Sequence, residues 1–452
     1  MAVTYEWETR IYDLDGVELC QVGGVGTPEG SGQIAPQLTF LLNGIDSYSF
    51  TMYLDDPQLD PAQGGDPTLI RPLDRIVKVW RHVHDTDVVG DESMVDFRYD
   101  DDPGFPAFCG IITGLDMTGS TLQVTITAQS PYWRLASHFH LLNHYLVIDY
   151  NGQSADLQHE GGNEDNHPWD VSALAFRLID LVNHAFGADS RTGIVKPTGV
   201  APFWEKTVTL HGGYRAARGN NVWIEIMELF WAQDETSATP DLVPTYLHID
   251  FGDDPDNAWK LMQFDTLKHR GDDVSADVSF DFCTGNINLD DITDSVAITN
   301  DNFANYVWAV GQAGPNGARR PAIDVAGEFG YENVGVYMYY SEVASWAHRL
   351  TNAWIQKQAN MELLRRNKIP HTYTMKPSAL RQPYFASNRD AASASQYVFT
   401  MGDVVGLKAD KGMLQVNTTQ RIYEVVLQLT ENCTEMCETR IARDFLTKVP
   451  VA

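Results

Sequence analysis

Two groups among the thirteen histidines of this chain have spacings that suit a metal ion. In SHFHLLNHYL, His138, His140 and His144 crowd together, and His140 and His144 stand at i, i+4, as zinc ligands on a helix do. In PLDRIVKVWRHVHD, residues 72–85, His82 and His84 fall on one side of a strand. Neither group has the HExxH glutamate that would supply a general base. In a chain so rich in histidine such spacings arise by chance, and surface or interface histidines are the favoured reading. Cys433 and Cys437 form C-x3-C, half of a zinc site, but no second pair lies nearby in the sequence. Two free thiols are the simpler account.

Other chemistries fare no better. Carboxylates are abundant, but nothing singles out two that would straddle a sugar with one of them held protonated. GDDPDNAWK resembles a calcium loop, yet the sixth and twelfth positions from Asp253 are Ala258 and Phe264 where an EF-hand needs Gly and Glu. QVGGVG, residues 21–26, is glycine-rich but precedes no helix, so it makes no phosphate cradle. Trp80, Trp133, Trp169, Trp204, Trp223, Trp231, Trp259, Trp308, Trp346 and Trp354 could stack on sugars, but most fall in apolar runs, where core or subunit contact is commoner. The sequence therefore assigns no catalytic residue, no cofactor and no metal ligand, and points away from an enzyme.

The elements that carry these residues are mostly strands. Residues 1–136 read as β throughout. Tyr5, Trp7, Thr9 and Ile11 alternate with Glu6, Glu8 and Arg10. Tyr48, Phe50, Met52 and Leu54 form one face of SYSFTMYL, which stops at an acidic turn with a proline. In TLQVTITAQ, Leu122, Val124, Ile126 and Ala128 are expected inside. The strand at 72–85 has a plain core face of Val77, Val79 and Val83; its other face mixes Ile76, Lys78, Trp80, His82 and His84. Helices are expected within SPYWRLASHFHLLNHYL, over DVSALAFRLIDLVNHAFG between an Asp170 cap and Gly187, over 220–234, and over 341–366, where Val343, Trp346, Leu350, Trp354, Met361 and Leu364 keep helical spacing. Residues 245–311 and the tail from 398 return to strand.

Composition bounds the rest. Apolar residues make up 43% and charged residues 21%, an ordinary globular balance. Lys and Arg number 32 against 61 Asp and Glu, so 32 minus 61 gives a net charge of −29, which repels phosphate and disfavours sequence-independent nucleic-acid binding. Five scattered cysteines suit a reducing cytoplasm better than a disulfide framework. The start, MAVTYEWETRIYDLDG, lacks the basic and apolar regions of a signal peptide, and no apolar run reaches membrane-spanning length.

One internal echo ties the chain's ends together. PLDRIVKVWR followed by FCGIITGLDMTG is repeated in outline by MGDVVGLKA followed by RIYEVVLQLTEN: an acidic turn, a strand, and an apolar strand running into a polar turn. This suggests two related β domains.

The order LLNGIDSYSFTMYLDD, RPLDRIVKVWR, FCGIITGLD and LQVTITAQSPYWRLASH resembles the N-terminal part of phage tail-tip hub proteins, the minor tail proteins of long-tailed phages, similar to those of actinobacteriophages. NFANYVWAVGQ, EFGYENVGVYM, the helix at 341–366 and FTMGDVVGLKA with RIYEVVLQLTEN are similar to that family's closing half. The resemblance covers most of the chain and is thinnest at 145–220 and 232–260. The acidic insertions at 85–105, 151–170 and 232–245 depart from it.

The resemblance implies an α+β, mostly β protein with two tube-type β-barrel domains and mixed α/β decorating domains. Its expected divisions are an N-terminal tube domain at 1–136, a mixed helical domain at 137–245, a β-rich part of the second tube domain at 246–320, a long-helix decorating segment at 321–380, and closing strands at 381–452. It further implies a homotrimer that continues the tail tube between a distal tail ring and a fibre or spike. The tape measure protein and other minor tail proteins would be its neighbours. Phage DNA would pass through the lumen without specific binding, and the protein would assemble in the host cytoplasm. On this view the mixed face of the 72–85 strand meets a neighbouring barrel or lines the channel. A distal tail adaptor or receptor-binding tail protein is the alternative; a carbohydrate-active or metal-dependent hydrolase is the remote one.

Overall fold

The structure is a computed structural model. It describes residues 3–23, 32–85, 106–137, 147–148, 154–155, 167–170, 194–195, 207–210, 214–215, 222–230, 246–250, 262–267, 272–283, 286–296, 303–311, 318–323, 335–340, 370–378, 384–385 and 398–442, with helical positions 356, 359, 360, 363, 364 and 366. Most of this is strand, and fourteen strands join in one sheet. They are β1 (Val3–Tyr12), β2 (Glu18–Val22), β3 (Ile34–Leu41), β4 (Ser47–Tyr53), β5 (Ile76–Asp85), β6 (Phe108–Thr118) and β7 (Gln123–Gln129), then β8 (Ser279–Cys283), β9 (Asn286–Ile287), β10 (Leu289–Val296), β11 (His371–Pro377), β12 (Val404–Lys411), β13 (Leu414–Leu429) and β14 (Glu435–Ala442).

The sheet is built twice from one plan. The first seven strands are ordered β3-β4-β7-β6-β5-β1-β2, and the last seven β10-β11-β14-β13-β12-β8-β9. Adding seven to each label of the first order gives the second. The registers agree as well. Ile111 of β6 faces Ile76 of β5 and Gln129 of β7. Arg421 of β13 faces Val404 of β12 and Ala442 of β14. Just beyond these residues both central strands break register, between Ile112 and Gly114 in β6 and between Ile422 and Glu424 in β13. An extra residue at the same place in two ladders is a built feature of a strand plan. On this alignment Tyr48 of SYSF corresponds to Tyr373 of TYTM, since they face Ala128 and Ile441. A carboxamide just before the third strand of each set also repeats its bond: Gln33 Nε2 donates to the Trp7 carbonyl at 2.7 Å, and Asn288 Nδ2 to the Ser279 carbonyl at 2.8 Å. The sets differ at one ladder, β1 being antiparallel to β5 and β8 parallel to β12.

Among the described residues, strand pairing does not close either set into a barrel. One main-chain hydrogen bond, from Tyr5 N to the Cys433 carbonyl at 2.8 Å, links the free edge of β1 to the β13–β14 turn. Period-two alternation accounts for the core. Trp7 and Ile11 of β1, Tyr48, Phe50 and Met52 of β4, Val77 and Val79 of β5, and Val124, Ile126 and Ala128 of β7 are all buried, and one apolar cluster continues from them through Phe280, Val405, Val425 and Leu427. Leu122 departs from expectation. It sits in the turn before β7 with a φ of 52° and is 56% exposed, because the strand starts one residue later than its alternation suggests. The two-residue link between Lys411 and Leu414 is made possible by Gly412 at a φ of 63°.

Outside the main sheet, Met262–Leu267 pairs with Ile194–Val195 and Tyr246–Asp250 in a small sheet, and Tyr306–Gly311 pairs with Ala318–Ile323 and Gly335–Tyr340 in another. Among the described residues of 246–320, the main sheet takes β8, β9 and β10. Of the expected helices, α1 (Tyr132–Ser137) and α2 (Val222–Phe230) are present. The helix expected over 170–187 lies outside the described residues except for Asp170, which ends a short strand. Within 341–366 six positions are described, all helical. No helix among the described residues is long and apolar enough to cross a membrane.

Candidate assembly interface

The two strand sets meet in a joint whose parts come from opposite ends of the chain. β13 is long because it serves both sets. Its Leu414–Arg421 half faces β12, and its Glu424–Gln428 stretch pairs antiparallel with Leu41–Gln37 of β3. The register irregularity at Ile422–Glu424 falls between those halves, where the strand must turn from one partner to the next.

Inside the joint lies a buried ion pair. Arg81 of β5 donates through Nε to Glu435 Oε2 at 2.9 Å and through Nη2 to Oε1. Trp7 Nε1 donates to the same Oε2 at 3.0 Å. The side chains of Arg81 and Glu435 are 3% and 6% exposed. A bidentate guanidinium–carboxylate pair has fixed geometry, and burial makes it intolerant of losing one member. The Arg81 guanidinium also sits 5.7 Å from the Phe385 ring centroid. Phe385 packs on Phe40 at 5.3 Å and on Phe399 at 5.6 Å, and Phe399 on Phe280 at 5.3 Å, so an aromatic row crosses from the first set to the second. Nearby, Tyr48 and Thr9 hydroxyls both meet Gln33 Oε1, at 2.5 and 2.9 Å, and burial pushes the Tyr48 phenol well above its usual range. The Glu435 contacts and the phenylalanine row fasten one strand set to the other, whereas the Thr9, Tyr48 and Gln33 bonds tie strands within the first set.

The mixed face of the 72–85 strand is corrected by this arrangement. Ile76 and Trp80 neither face a neighbour nor line a channel: they are buried within the chain, in a second cluster with Tyr12, Cys109 and Ile111, against Trp133 of α1. Tyr132 of α1 in turn packs on Trp223 of α2 at 5.2 Å. Lys78 is buried with Nζ 4.5 Å from the Tyr12 ring, and Arg10 lies 5.1 Å over Trp80.

Most of the histidine candidates lie outside the described residues. His82 and His84 lie in β5 opposite Glu6 and Thr4, with side chains outside the described residues. His138, His140, His144 and the Asp253 loop also lie outside them. Among the described residues no group of three metal-ligating side chains occurs. Cys433 is exposed in the β13–β14 turn, whereas Cys437 packs against the core from β14, where burial pushes its thiol up to about 12. Burial likewise pushes Cys109 up to about 12. A thiol reagent at pH 8 is therefore expected to modify Cys433 in the native protein, and Cys109 and Cys437 only in denaturant, as read by mass spectrometry. Raised folded-state values have a sign: the unfolded chain loses these protons first, above the ordinary thiol value of about 8.5, so stability should fall as pH rises from there towards about 12.

Sequence reading missed Arg81 and Glu435. The signal for Arg81 was present, since it stands between Val79 and Val83 on the core side of an alternating strand. A charge on a core face needs a buried partner.

No protein-family model matches the chain, and no curated protein matches it. Similar solved structures include the 43 kDa tail protein of prophage MuSo2 from Shewanella oneidensis, at 11% identity over 98% of this chain and 100% of that one, with a TM-score of 0.49. The tail protein from Neisseria meningitidis MC58 is similar at 12% identity over 98% and 97%, TM-score 0.49. Prophage tail protein gp18 from Listeria monocytogenes EGD-e is similar at 10% identity over 96% and 94%, TM-score 0.43.

Proposed function

We infer that this chain is a structural hub of a phage tail tip, a homotrimer whose paired strand sets continue the tail tube. The observation that carries the reading is the repeated strand plan, with its matching order, register and bulge. Two like modules per chain let three chains present six tube-forming units, which is how a trimer meets a sixfold tube. The segments that resemble tail-tip hubs include strands of both modules: SYSFTMYL, IVKVWR and FCGIITGLD in the first, VVGLKA and RIYEVVLQL in the second. The role is architectural rather than catalytic. It joins a distal tail ring to the tip fibre or spike, beside the tape measure protein, and leaves a passage for DNA. A net charge of −29 suits a wall that DNA passes without adhering.

The test is the mass in solution by light scattering across a concentration series. The expected species is three times 50.5 kDa. A mass of six chains would move the reading to a distal tail adaptor, and a monomer at every concentration would overturn it.

A further inference from the structure

Among the described residues, the joint inside the chain fills one of two equivalent positions. β14 occupies one flank of β13, and β3 lies on the other, beyond the end of β12. The equivalent stretch of β6 is Gly114–Thr118, which follows the same bulge. β7 occupies one flank there, and among the described residues no strand pairs with the other. Side chains at matching positions record the difference. Val425 and Leu427 of β13 are buried, whereas their counterparts Leu115 and Met117 of β6 are half-buried and 60% exposed. The hairpin ends differ in the same sense: Glu435, after the β13–β14 turn, is sunk in the joint, while its counterpart Leu122 is 56% exposed.

The strand equivalent to β3 is β10. Its one ladder among the described residues is with β11. By the shared register Val296 corresponds to Phe40; Phe40 is buried in the internal joint and Val296 is 47% exposed. Among the described residues, β6 thus keeps an open socket and β10 an open strand edge, and the filled version of that contact is already present between β3 and β13.

We propose that β10 of one copy pairs antiparallel with the Gly114–Thr118 edge of β6 in the next copy, in the register by which β3 pairs with β13. Val296 then faces Leu115, Ser295 faces Asp116 and Asp294 faces Met117. Two apolar residues meet, and no two carboxylates stand directly opposite, which would oppose pairing. The contact is head-to-tail, so it builds a ring when its rotation closes. The occupant is a second copy of this chain because the fit is the one the chain already makes with itself. The inference rests on the hub reading, which supplies the ring size.

The experiment uses full-length chains. Asp116→Cys and Ser295→Cys variants are made separately, coexpressed, and oxidised mildly. A head-to-tail contact gives a disulfide-linked pair in the mixed sample that neither variant forms alone, despite the native cysteines. The double variant should give covalent species ending at three chains. Val296→Asp should abolish the threefold mass while leaving the thermal midpoint of the single chain unchanged. A threefold mass without the mixed-sample link would overturn this edge pairing and leave the hub reading standing. A monomer at every concentration would overturn both. A β10 edge that links only to a different tail protein would overturn the self-pairing.

Discussion

Replacing Glu435 by alanine is expected to destabilise the folded chain by about 3–5 kcal/mol, the range for stranding one member of a buried ion pair. The carboxylate accepts two bonds from Arg81 and one from Trp7 Nε1. Its removal leaves a guanidinium in the core with its main counter-charge gone, and an indole N–H that has lost its acceptor. Arg81 always carries its charge, so it has no protonation route to relief. Water cannot replace the carboxylate without opening the joint, because both side chains are almost fully buried. The double variant Arg81→Met with Glu435→Leu removes both charges and keeps apolar volume, so it should cost much less than the single one. Urea unfolding midpoints at constant slope provide the measurement. A single variant that loses less than about 1 kcal/mol would mean that the pair is solvated and does not lock the two strand sets together.

Much of the strand content was legible because alternation is a local property. SYSFTMYL announces Tyr48, Phe50 and Met52 as one buried face, and the structure buries all three. The hairpin echo was legible for the same reason, and the shared register and bulge extend it to whole strand sets. Alternation reports which face is covered and not by what, so Ile76 and Trp80 were placed at an interface when α1 covers them within the chain. The correspondence of SYSF with TYTM stayed hidden, since it is carried by a backbone ladder and one tyrosine. The joint itself was out of reach. Arg81 and Glu435 are 354 residues apart, and so wide a separation leaves no local pattern that pairs them.

The repeated plan makes a second, sharper prediction, because it puts two side chains in equivalent positions with opposite surroundings. Leu427 of β13 is fully buried; Met117 of β6 is 60% exposed. Leu427→Ala is expected to cost about 2–5 kcal/mol, the lost transfer energy of the side chain plus a cavity that a close-packed joint cannot collapse. Met117→Ala should change the stability of the isolated chain by no more than about 0.5 kcal/mol, as exposed substitutions usually do. The local ladder is the same in both cases: Leu427 faces Cys437 of β14 and Met117 faces Val124 of β7. What differs is the next strand, since Leu427 has Leu38 of β3 across its other flank. Unfolding of both variants at a protein concentration too low for assembly isolates that difference. Equal losses would show that the β6 edge is covered from within the chain, and the equivalence between the two strand sets would then stop at their central strands.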